Sequence, residues 1–177
     1  RGGSGRSLRQ AMPFLVRSII RSKWGQPDVK ATDDPGADAI TRCLKTTGNT
    51  LSVWRIESAD ELDVAVLAFV STNERLDKLD FVLLDEQRVI EAGIEIDDNV
   101  LGDSPIASLN ETHRNLTNLG YTALGKIKDL IIEVLRKDEE VRYRPPQLST
   151  ILKKAIENGS VKSDDLKEKV REQLEAA

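Results

Sequence analysis

His113 is the only histidine of this 177-residue chain and Cys43 its only cysteine. Composition therefore excludes a histidine-rich metal cluster, and any nucleophilic set has to be completed by Cys43 or by a hydroxyl. One arrangement uses the Cys43 thiolate as nucleophile, His113 as its base and Glu111 to orient the ring. A related one joins His113 to carboxylates and to Arg55 or Arg114, the equipment of an enzyme acting on nucleic acid or nucleotide. The plainer reading makes Cys43 a small buried hydrophobe and His113 a surface residue in the first turn of a helix.

Asp97-Asp98-Asn99-Val100-Leu101-Gly102 opens like a calcium loop, with oxygen ligands at the first and third positions and glycine at the sixth. Leu101 then fills a ligand position, and Ser108 stands where a bidentate glutamate is needed, so no metal site is expected. Gly48 and Gly102 are isolated and lack the Gly-Lys-Ser/Thr ending of a phosphate cradle, so no nucleotide cofactor is expected either. The expected cofactor list is empty.

Charge is the stronger signal. From Glu57 to Glu111 there are fifteen Asp and Glu against Arg75, Lys78 and Arg88, a local balance of −12 within a chain of net charge −4. Such a segment repels phosphate and suits a basic partner or solvent. Asp85, Glu86, Glu91, Glu95, Asp97 and Asp98 are its candidate partner-binding residues. The dense basic stretch is Arg136, Lys137, Arg142, Tyr143 and Arg144, whose aromatic could stack on a base or on a partner ring. Helix-end electrostatics alone explain Arg136 and Lys137. In the last helix Lys167, Lys169 and Arg171 interleave with Glu168 and Glu172, which cancels the field that DNA contacts need.

These residues need elements to place them. Residues 1–11 have linker composition and read as a non-native segment ahead of Met12. Pro13 to Arg21 and Thr50 to Ile56 alternate as strands, and Leu79 to Leu84 is a third. Asp34-Pro35 starts a helix, and Ser58-Ala-Asp-Glu61 has the capping-box pattern of another. Glu86 to Ala92 reads as a short helix stopped at Gly93, before an edge segment from Ile94 to Ile96. Glu111 to Lys137 is expected to be one long helix capped by Asn110, of about 40 Å. After Pro145-Pro146, two short helices, Gln147 to Glu157 and Ser163 to Glu175, form a hairpin that must dock to be stable.

The expected fold is α+β: a three- to four-stranded sheet covered by helices over residues 12–138, with the helical hairpin of residues 145–177 docked on it or on a partner subunit. A small parallel α/β sheet is the alternative, because the elements run β-α-β-α-β. The longest uncharged apolar run, Val64 to Val70, is too short for a bilayer span of about 20 residues. No export signal or cysteine pairing is seen, so a cytoplasmic location is expected. The function these observations favour is a non-enzymatic interaction or regulatory protein that binds a basic protein partner through its acidic segment and can self-associate. An enzyme built on His113, or a nucleic-acid binder using Arg17, Arg21, Lys23 and the 136–144 stretch, are the other readings.

Overall fold

The computed structural model describes residues 12–25 and 35–177. The linker-like residues 1–11 and the Asp34 cap lie outside them. Six strands form one sheet: β1 (Phe14–Ile19), β2 (Leu51–Ile56), β3 (Leu79–Asp85), β4 (Glu95–Asp97), β5 (His113–Thr117) and β6 (Val141–Tyr143). Their spatial order is β4-β5-β2-β1-β3-β6, and every adjacent pair is antiparallel. The expectation of three or four strands, and the parallel alternative, are both corrected here. His113–Thr117 is a strand between β2 and β4, not the first turns of a long helix, and Val141–Tyr143 adds an edge strand beside β3.

The helices are α1 (Ala37–Cys43), α2 (Leu62–Val70), α3 (Glu86–Glu91), α4 (Tyr121–Arg136), α5 (Pro145–Glu157) and α6 (Glu168–Ala176). Period-two alternation in the central strands sorts side chains onto two faces. Leu15, Leu51, Val53, Val82, Leu84 and Leu116 point to one face and pack with Cys43 of α1, Val89 of α3 and Ile127, Ile131 and Leu135 of α4. Val16, Ile56 and Phe81 point to the other and pack with Val66 of α2, Leu148 and Leu152 of α5, and Val170 and Leu174 of α6. The sheet is thus the middle layer of three. Each fully buried leucine contributes about 1.5–3 kcal/mol of transfer free energy.

Local chemistry ends each element where it does. Asp85 accepts a bond from the Arg88 amide at 3.2 Å and so caps α3. Gly93, at φ +79°, turns the chain from α3 into β4. The Ser58 side chain makes no cap bond; Glu61 instead reaches back to the Glu57 amide at 3.0 Å, ahead of α2. Arg88 of α3 pairs with Glu133 of α4, and Gln173 of α6 holds both main-chain groups of Leu76, at 2.7 and 3.2 Å. Edge strands β4 and β6 have three residues each, short enough to discourage unplanned pairing.

Candidate functional site

β5 places His113 directly opposite Trp54 of β2, so the two rings share a face and meet edge-on, 5.3 Å between centroids at 75°. Only 7% of His113 is exposed. Its Nδ1 lies 2.8 Å from the Val100 carbonyl oxygen. Because a carbonyl only accepts, Nδ1 carries the hydrogen of that bond. The imidazole thus fastens the loop after β4 to the sheet.

Cys43 lies across the sheet from it. Its sulfur accepts from the Ile20 amide at 3.2 Å and from the Trp24 indole at 3.4 Å, within the cluster that α1 and α4 build with Leu15 and Leu51. His113 is on the opposite face, with Trp54, so the sheet itself separates thiol from imidazole. Glu111 is exposed, and Arg114 gives Nη1 to the main-chain oxygens of Glu111 and His113, both at 2.7 Å. Arg55 is engaged by Glu86 at 2.6 Å and by Glu57. The carboxylate of Glu86 is the main reason the Arg55 guanidinium holds its proton more firmly than usual. These five candidate side chains, His113, Cys43, Glu111, Arg114 and Arg55, therefore do not converge.

Several of the basic candidates are likewise engaged within the fold. Tyr143 is buried, and its hydroxyl donates to Asp63 at 2.5 Å. Arg142 binds Asp80 at 2.7 Å, Arg21 binds Glu140 at 2.8 Å and Lys23 binds Asp38 at 3.0 Å. Arg17 donates to the Cys43 oxygen at 2.8 and 3.2 Å and to the Ser52 oxygen at 2.8 Å, where β1 parts from β2. Burial pushes its guanidinium below the ordinary value. Arg136 and Lys137 end α4, while the Arg144 amide donates to Gln147 at 2.8 Å at the start of α5. The candidate stretch is split among α4, β6 and α5, and its aromatic faces inward.

The acidic block is distributed over both layers. Asp63 and Asp80 meet Tyr143 and Arg142, and Glu74 lies 3.8 Å from Lys167 of the last helical segment. The run from Asp85 to Asp98 leaves the end of β3, passes through α3 and reaches edge strand β4, with β1, β2 and β5 lying between its two ends in the sheet. Glu91 accepts from Gln87 at 3.1 Å, Glu95 from Asn118 at 2.5 Å and Asp97 from the Asn99 amide at 2.9 Å. Asp98 is exposed.

Register brings further residues to this end. Asp97 stands opposite Asn115, which stands opposite Ser52, and Glu95 stands opposite Thr117. All five side chains project to the Trp54 face, and Ser52 and Glu95 are exposed there. Reading 111–137 as helix concealed Asn115 and Thr117. The available signal was Asn118-Leu119-Gly120, a turn-forming composition inside the supposed helix.

Among the described residues no group of three or more His, Cys, Asp and Glu side chains could hold a metal ion. Asp97 spends its carboxylate on its own loop. A cleft of about 200 Å3 beside α4 is lined by Phe14, Asp85, Arg88, Glu133 and Lys137. A more apolar groove of about 400 Å3 is bounded by Leu76, Pro145, Pro146 and Gln173. Neither contains His113.

The chain matches no family model, no curated protein and no solved structure. Its own chemistry has to carry the functional reading. No helix among the described residues is long and apolar enough to cross a membrane.

Proposed function

We propose that the protein is a non-enzymatic interaction protein that engages a basic protein partner through the acidic end formed by α3 and β4. The observation that supports this is the segregation of charge. Glu91 at the end of α3, Glu95 on the terminal strand β4 and Asp98 just after it stay exposed, while Arg17, Arg21 and Arg55 are partly or fully buried and held by main-chain oxygens or carboxylates. Exposed carboxylates on a border strand steer a cationic partner during encounter and reject phosphate.

The experiment is a titration of the captured partner against ionic strength, repeated with the triple variant Glu91→Lys, Glu95→Lys, Asp98→Lys. Binding should weaken by about tenfold or more on charge reversal, and the wild-type affinity should fall with added salt. A partner held equally well by both chains, or without salt dependence, would remove the proposal. Charge on an edge strand also serves to prevent pairing between copies. A variant that loses no partner but begins to associate with itself would assign the carboxylates to that protective role instead.

A further inference from the structure

Asp98 to Ile106 is a loop held rigid from below, yet it carries two consecutive apolar side chains in solvent. Val100 is 36% exposed and Leu101 67%. The Val100 oxygen is fixed by His113, and the Gly102 amide donates to the Asn110 oxygen at 3.0 Å. The Asn110 side chain grips both main-chain groups of Ser104, each at 2.9 Å. Ser104 Oγ meets Ser71 Oγ at 3.0 Å and takes the Ile106 amide at 3.1 Å. A flexible loop could turn Leu101 inward; one clamped at Val100, Gly102 and Ser104 cannot. Packing beneath the loop is provided by Gly102 against Trp54, so the exposed pair is not needed to seat it.

Resting on the acidic-end reading above, we infer that Val100 and Leu101 are the apolar anchor of that interface, a preformed knob that enters an apolar socket rimmed by Lys or Arg on the partner. Charge complementarity defines the rim, because Asp98 and Asp103 flank the pair and both are exposed. A side chain carried on an already clamped backbone costs little main-chain freedom on binding, and a desolvated centre ringed by charges is the usual anatomy of a specific interface. The carboxylates then govern association and the knob governs residence time.

The test places a photo-reactive benzoylphenylalanine at position 101 of the full chain in the cells that make it, with a second chain carrying it at Tyr121, which is 96% exposed. Position 101 should give one dominant adduct absent from position 121, mapped to an apolar segment flanked by Lys or Arg. Its yield should fall about tenfold with Asp98→Lys and Asp103→Lys. No adduct, the same adducts at both positions, or an adduct indifferent to charge reversal would overturn the inference. Leu101→Ser should leave the melting temperature unchanged and speed dissociation of the partner from the salt titration about tenfold. If charge reversal on α3 and β4 abolishes binding while Leu101→Ser does not alter it, the knob is lost and the acidic end stands. If neither change affects binding, both are lost.

Discussion

A Cβ built on Gly102 would lie 2.5 Å from Cη2 of Trp54 and 2.9 Å from Oδ1 of Asn110. The loop backbone therefore rests directly on the indole, closer than any other residue type allows. Gly102→Ala has to lift the loop or tilt the tryptophan, at a cost of about 1–3 kcal/mol. Urea denaturation should show that loss, together with a changed Trp54 emission in the folded state. An unchanged midpoint would mean that the loop moves freely.

Arg17 ties together two oxygens that the sheet leaves behind. The pairing of β1 with β2 runs to Val16 opposite Trp54, and beyond it the guanidinium satisfies the main-chain oxygens of Cys43 and Ser52. It also places a cation at the C-terminal end of α1. Lysine cannot reproduce a fork that spans both oxygens, so Arg17→Lys should cost about 1–3 kcal/mol, or roughly 2–10 °C in melting temperature. Equal stability of the two chains by calorimetry would show that solvent replaces those bonds.

Gln173 plays the part of a missing strand for Leu76, accepting from its amide and donating to its oxygen. Gln173→Leu keeps the bulk and removes both bonds, at about 1–3 kcal/mol for the part-buried main-chain groups. Hydrogen exchange should quicken first at the Leu76 amide and in α6. Uniform quickening across the sheet would place the coupling elsewhere.

Tyr143 gives the fold a weakness to base. Its burial, reinforced by the hydrogen bond to Asp63, raises its phenol above the ordinary value. The unfolded chain then loses this proton first, from about pH 10. The associated stability is complete below that pH and declines as pH rises toward the raised folded value. Tyr143→Phe should flatten this part of the stability profile. If both chains lose stability in parallel above pH 10, another group is responsible.

Individual elements were readable where their signal was local. Leu79 to Leu84 is an almost continuous apolar run and forms β3 (Leu79–Asp85), whereas Pro145-Pro146, read as a break ahead of a helix from Gln147, is itself the first turn of α5, where proline's fixed φ fits. His113–Thr117 was not readable as a strand, because only Leu116 supplies it with an aliphatic side chain. What makes it a strand is pairing with β2 on one side and β4 on the other. Asn110, expected to cap a helix, is instead spent on Ser104. A cap and a loop clamp use the same carboxamide, and only the position of the neighbouring amides decides between them.

Charge, the single histidine and cysteine, and the turn residues are properties of composition and of near neighbours, so the sequence alone determined the acidic segment and excluded a histidine cluster. The antiparallel order of the strands, the placing of Cys43 and His113 on opposite faces, and the inward turn of Tyr143 came only with the tertiary structure. Each depends on contacts between residues far apart in the chain, such as Arg17 with Ser52 or Asp63 with Tyr143. Chain periodicity says which side of a strand is apolar; the partner strand says which way that side faces.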